Sequence, residues 1–197
     1  MTESLLTKIR QCTLCANELP LAPKPIFQAS RKSRILIAGQ APGKVTHQQG
    51  IPFDDKSGER LRRWLGVSSD EFYNPDLFAI LPMGFCFPGN GPSGDLPPIA
   101  RCAQQWRQQL LDQLNDIELT IILGKYAINW HLPPTGIVSN KQPITTLAKN
   151  WRRLIADKKM VLPHPSPRNN IWLKRNTWFE QQVIPNLQQQ VSEIIGK

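Results

Sequence analysis

The residues best able to do chemistry in this chain are four cysteines, one histidine near the C-terminal end and a pair of punctuated loops. Cys12 and Cys15 form Cys-x-x-Cys, a spacing that brings two thiolates to one centre from a tight loop. Cys86 and Cys102 can complete a set of four, which suits an iron–sulfur cluster or a structural zinc. A single cysteine is as readily a small buried apolar residue, but an even set with none left over favours joint use. His164 lies in Pro163-His164-Pro165-Ser166-Pro167-Arg168-Asn169, a segment stiffened by three prolines. A histidine held there can donate a hydrogen bond to an anion forming on a leaving group, or it can be a buried structural group. The stiff Pro165-Ser166-Pro167-Arg168 stretch can press into a DNA groove or hold a phosphate. The other loop opens with Gly39-Gln40-Ala41-Pro42-Gly43 and continues through Gly50-Ile51-Pro52-Phe53-Asp54-Asp55. Its glycines allow a tight turn and close approach to a ligand. Phe53 can serve as a stacking platform or fold into the core.

These residues need a scaffold, and the apolar runs supply one. Ile35–Ala38, 77–81, 119–123 and 159–162 are short, apolar and rich in β-branched residues, as buried parallel strands are. Helical patterns separate them at residues 58–65, 99–114, 126–131 and 146–155, with a short helix at 4–10 and a last helical region at 172–195 broken by Pro185. In the 58–65 helix, Leu61, Trp64 and Leu65 form the apolar face and Arg60, Arg62 and Arg63 are left for solvent or phosphate. Residues 17–32 read as an irregular, proline-containing wrap, and PGNGPSGDLPP at 88–98 as a long Gly/Pro loop. Strands alternating with helices predict an α/β class, a three-layer α/β/α fold with a central four-stranded parallel sheet. Ligands of such sheets bind beyond the carboxyl ends of the strands, which is where the loops at 39–55 and 163–169 emerge. The length of 197 residues fits one domain over 1–197.

Composition bounds the partners. Lys+Arg 24 against Asp+Glu 15 gives a net charge of +9, which favours a polyanion such as nucleic acid. No apolar run is long enough for a bilayer, and Met1-Thr2-Glu3-Ser4 lacks the layout of a signal peptide. A cytoplasmic protein with no membrane partner is the expectation, and reduced thiols there need a role other than disulfides.

Gly39-Gln40-Ala41-Pro42-Gly43, Gly50-Ile51-Pro52-Phe53, Leu123-Gly124-Lys125-Tyr126-Ala127 and His164-Pro165-Ser166-Pro167-Arg168 occur in the order found in the uracil-DNA glycosylase superfamily. With the four cysteines, the chain resembles the iron–sulfur branch of that superfamily, often termed family four. The resemblance covers Cys12 to about Arg168. It implies a DNA-repair hydrolase that flips uracil or another deaminated base out of DNA, acting as a monomer. Phe53 would stack the base, with Gly39, Ala41, Pro42, Gly43 and Pro82 around it. His164 would stabilise charge on the departing base, and Pro165, Ser166, Pro167 and Arg168 would engage the DNA. Cys12, Cys15, Cys86 and Cys102 would hold a structural [4Fe–4S] cluster, with zinc the alternative.

Three positions depart from the family pattern. Gln40 stands where the branch has a water-activating glutamate, and Ala41 stands where other branches have an aspartate. Pro82 falls where relatives carry an asparagine that reads the pyrimidine edge. Gln40 can position water but cannot take its proton. Asp54 and Asp55 are the nearest replacement carboxylates, and Asp54 is taken as the catalytic candidate. The alternative is a weak or inactive nucleic-acid-binding member of the same superfamily.

Overall fold

A computed structural model describes residues 3–92 and 94–197. Met1 and Thr2 of the N-terminal reading, and Ser93 of the Gly/Pro loop, lie outside the described residues. The central sheet has four parallel strands, β1 (Ile35–Ala38), β2 (Phe78–Ile80), β3 (Leu119–Leu123) and β4 (Lys159–Leu162), in the order β2-β1-β3-β4. Helices cover both faces, so the expected three-layer α/β/α fold is the one observed.

Alternation along the strands divides the core. Ile35, Ile37, Phe78, Ile80, Ile121 and Leu162 face helices Lys56–Leu65 and Ile184–Ile195, where Leu61, Trp64, Leu65, Leu187 and Val191 are buried. Leu36, Ala79 and Leu81 face the other way, onto Leu5 and Ile9 of helix Glu3–Arg10 and onto Leu110 and Leu114. Ala38, Ile122 and Val161 meet Ala127, Ile128 and Leu132 there. Because both faces are covered, the strands are mostly apolar, with Thr120 and Lys159 the exceptions, rather than alternating with polar residues.

The order β2-β1-β3-β4 means that the chain reverses direction across the sheet at β1. A crevice opens at such a reversal beyond the strand ends, and the Gly39 loop leaves β1 into it. Among the described residues, no helix is long and apolar enough to cross a membrane.

Several local expectations are corrected. The 39–55 loop contains a helix, Lys44–Gln49, whose polar sequence buries only Thr46 and so lacks apolar periodicity. It is bounded by Gly43 and by Gly50, whose φ of 81° suits glycine at a helix end. The 146–155 helix is two, Ile144–Lys149 and Trp151–Ala156, meeting at Asn150. Pro185 does not break the last helical region. The break lies at Asn176, and the π-helix Phe179–Val183 runs straight into Ile184–Ile195, placing Pro185 at the π-to-α junction. The Gly/Pro loop carries a small antiparallel hairpin, Asn90–Gly91 against Gly94–Asp95.

Candidate functional site

Two of the cavities at the carboxyl end of the sheet bear on function. The larger, about 630 Å³, is bordered by Gly39, Gln40, Ala41, Pro42 and Gly43 from the loop after β1, and by Pro82 beyond β2. Phe53 and Asp55, Asp95 of the hairpin, and His164, Ser166, Pro167 and Arg168 beyond β4 complete the part that bears on chemistry. Residues more than a hundred positions apart are thus brought together because all four strands point the same way.

Phe53 combines the two roles left open for it. Its ring is partly buried and meets Phe72 edge-on at 6.2 Å, yet it lines the cavity. Its φ is 58°, a left-handed backbone that costs a non-glycine residue about 1–3 kcal/mol. Three contacts hold it there. Asp55 accepts a hydrogen bond from Gly58 N at 2.9 Å and starts helix Lys56–Leu65 just after the kink. Gly58 leaves room for the Phe53 carbonyl, with which any Cβ would collide. Arg62 Nη1 donates to that carbonyl at 3.2 Å and to the Tyr73 hydroxyl at 3.3 Å. Arg62 is therefore a structural clamp and not a free phosphate ligand. Arg60 is also engaged, donating to Ser166 O at 3.1 Å and to Asn170 Oδ1 at 2.7 Å, while Arg63 remains exposed.

His164 is held by its own loop. The Ser166 N–H donates to its Nδ1 at 3.3 Å, and Asn169 Nδ2 donates to its carbonyl at 2.7 Å. A ring nitrogen that accepts carries no proton, which leaves Nε2 as the N–H of the neutral ring. Burial pushes the imidazole below its usual value, while the charges of Asp55 and Asp95 pull it back up and Arg168 lowers it. At neutral pH the ring is uncharged, with one donor.

The predicted site residues do not all converge. Asp54 is exposed and does not border the cavity; the helix-capping register turns Asp55 inward instead. Pro165 is buried and likewise absent from the cavity wall, so the DNA-facing stretch narrows to Ser166, Pro167 and Arg168. Gln40 borders the cavity, with its carbonyl accepting from Gly84 N at 3.0 Å. Asp95 is a residue that sequence reasoning missed. Its Gly/Pro loop was recognisable as functional in type, but no spacing connects it with the loops after β1 and β4.

The smaller cavity, about 30 Å³, is lined by all four cysteines together with Leu14, Leu19, Phe85, Ile99 and Trp106. Trp106 Nε1 donates to Cys12 Sγ at 3.2 Å, and Phe85 N donates to Cys102 Sγ at 3.3 Å. Burial pushes the Cys86 thiol up to about 11 and that of Cys102 up to about 12, so only a bound cation would keep them as thiolates. Among the described residues, no group of three or more His, Cys, Asp or Glu is arranged to hold a single metal ion. The donor set nevertheless fits an iron–sulfur cluster: four thiols, apolar walls and two N–H groups aimed at sulfur.

One segment joins the cavities. Met83 N donates to Gly39 O and Gly84 N to Gln40 O, both at 3.0 Å, while Phe85 and Cys86 reach the cysteine cavity. Behind it, fully buried Arg107 donates from Nη1 to Leu81 O at 3.0 Å and Pro82 O at 3.2 Å, and its Nη2 lies 2.7 Å from His131 Nε2. Arg107 sits in a π-helical turn, Ala103–Arg107, directly after Cys102.

A family model described as Uracil DNA glycosylase superfamily matches residues 26–188. The match includes every residue of the larger cavity and leaves Cys12 and Cys15 outside it.

Proposed function

Because the chain belongs to the uracil-DNA glycosylase superfamily, we propose that it is a base-excision DNA glycosylase that hydrolyses the N-glycosidic bond of uracil or another deaminated base after flipping it from the strand. One observation carries the reading: Phe53, Gln40 and His164 border a single cavity whose outer wall is Ser166, Pro167 and Arg168. The volume admits a nucleobase, and extrusion is the only way such a pocket can reach a base in a duplex.

In this reading the base slides over the Phe53 ring, and its bond to C1′ breaks with the electron pair moving onto the ring. His164 Nε2–H donates to the carbonyl oxygen on which that charge accumulates. A donor already aimed at the developing anion stabilises the transition state more than the ground state. Pro82 offers no side-chain hydrogen bond to the base edge. The pocket therefore selects by shape and by the His164 donor, and a range of deaminated bases fits it. Ser166, Pro167 and Arg168 meet the strand beside the flipped nucleotide, and the net charge of +9 supplies the electrostatic affinity for DNA.

Cys12, Cys15, Cys86 and Cys102 would hold a [4Fe–4S] cluster whose contribution is structural, bracing the N-terminal segment against residues 82–86. Four thiols ringed around a cavity suit such a cluster, with zinc the alternative.

The test is an incision assay on oligonucleotides carrying uracil, hypoxanthine or xanthine, single- and double-stranded, with DNA affinity measured across salt. Excision of at least one of these bases, and affinity that falls steeply as salt rises, are the expected results. Salt-dependent binding without excision would instead favour a binding protein, a reading motivated by Gln40 in the water-activating position.

A further inference from the structure

Hydrolysis of a glycosidic bond needs a group that takes a proton from water, and the loop after β1 does not provide one. Gln40 cannot accept a proton, and Asp54 lies outside the cavity. Among the described residues, two carboxylates border it, Asp55 and Asp95. Asp55 Oδ1 is committed to the Gly58 N–H that starts helix Lys56–Leu65. The Asp95 carboxylate accepts no hydrogen bond from a described residue and forms no ion pair with one, while its charge is felt at His164.

Its position in the cavity is specific. The inner end is closed by buried Ile26, Ile80, Gly39 and Pro82. Asp95 is exposed, on the shoulder where the cavity opens into a second groove that also touches Lys44 and Arg168. A flipped base enters ring first, so its sugar, still tethered to the strand, stops at this shoulder. The reacting C1′ would then lie beside Asp95 rather than over the inner end. The hairpin is fixed for this role. A Cβ on Gly43 would lie 3.5 Å from Asp95 Oδ2, Leu96 N donates to Gly89 O at 2.8 Å, and Arg168 packs so closely over Gly94 that a Cβ there would collide with its guanidinium. Gly94 has a φ of 137°, which glycine alone tolerates well.

We propose that Asp95 is the catalytic carboxylate that orients and deprotonates the attacking water, an assignment that rests on the glycosylase reading. The C1′–N bond breaks and its electron pair leaves with the base, whose oxygen is held by His164 Nε2–H. The water oxygen bonds to C1′, its proton passes to the Asp95 carboxylate, and the leaving base takes a proton from solvent. Asp95 then returns its proton to solvent, which balances the step.

The experiment is single-turnover excision from oligonucleotides containing uracil, hypoxanthine or xanthine, for wild type, Asp95→Asn, Asp55→Asn and Asp95→Asn combined with Gln40→Glu. Asp95→Asn should slow excision by about 10²–10⁴-fold, the usual range for general-base help. It should leave the melting temperature unchanged and oligonucleotide affinity within about twofold. Asp55→Asn should slow excision far less, and the added Gln40→Glu should restore part of the rate. An Asp95→Asn enzyme within about threefold of wild type, or one that loses DNA affinity in parallel with rate, overturns the assignment of Asp95 alone. Wild type that excises none of the bases overturns the glycosylase reading and this assignment with it.

Discussion

The two cavities are neighbours built for opposite purposes. The cysteine cavity holds about 30 Å³ behind apolar walls, and its sulfurs come from the N-terminal segment, the exit of β2 and the helix that follows the Gly/Pro loop. The cavity of Phe53 and His164 holds about 630 Å³, is bordered by two carboxylates, an arginine and a histidine, and opens at the strand ends. The first is narrow and walled by sulfur and apolar groups. The second can admit and release a ligand. Their common wall, residues 82–86, bonds to the Gly39 and Gln40 carbonyls at one end and supplies Cys86 at the other. Damage to the first cavity should therefore reach the second through stability, whereas damage to the second should leave the first intact.

Breaking the cysteine cavity should have the largest effect. Cys102→Ala removes one of four donors and leaves a void beside Phe85 and Trp106. On the proposed cluster reading, the expected result is loss of iron by metal analysis and a drop in melting temperature of about 10 °C, roughly 3 kcal/mol for a chain of this size. Unchanged melting with iron absent would show that the cavity braces nothing. His164→Ala sets the opposite limit: excision should slow by about 10²–10³-fold, as for loss of a preorganised donor, with iron content and melting unchanged.

Phe53→Ala sharpens the comparison because Phe53 belongs to both core and cavity. Loss of base stacking should weaken binding of a flipped base by about 1–3 kcal/mol. The backbone at 53 stays left-handed whichever side chain it bears, so strain is not relieved. Phe53→Gly should relieve it, and its melting temperature should exceed that of Phe53→Ala in thermal denaturation. Equal melting of the two would mean that the clamp of Arg62 and Gly58 imposes no strain.

The division between the cavities also explains what was legible in the sequence. The strands were readable because a parallel sheet covered on both faces leaves unbroken apolar runs such as Ile35–Ala38. His164 was readable because it follows β4 in a proline-stiffened turn, and Phe53 because it lies in the glycine- and proline-punctuated loop after β1. Asp54 and Asp55 could not be told apart, since only the capping hydrogen bond to Gly58 determines which one turns inward. Asp95 was invisible because a two-residue hairpin strand has no periodicity and its approach to Gly43 is a tertiary contact. Arg107 was hidden for a similar reason: a fully buried arginine has no sequence signature, and the carbonyls it serves lie on another element.

The smallest predicted effect tests that buried joint. Burial lowers the His131 imidazole to about 3, with Arg107 and Lys159 adding to the shift, and its Nε2 accepts the Arg107 Nη2 hydrogen bond only while unprotonated. Burial also lowers Arg107, to about 10, so it remains a cation at neutral pH. The unfolded chain takes up a proton on His131 as pH falls through about 6.5, whereas the folded chain does not until about pH 3. In that window the unfolded state binds more protons, so stability falls as pH falls. For one histidine the loss between pH 7 and pH 5 is about 1–2 kcal/mol. His164, also lowered, changes stability in the same direction. Denaturant midpoints at the two pH values measure the loss. His131→Gln keeps an acceptor for Arg107 but cannot titrate, so it should flatten the dependence, and His164→Gln should remove a separate part of it. If His131→Gln leaves the slope untouched, acid acts on the open cavity and the joint behind Pro82 is insensitive to it.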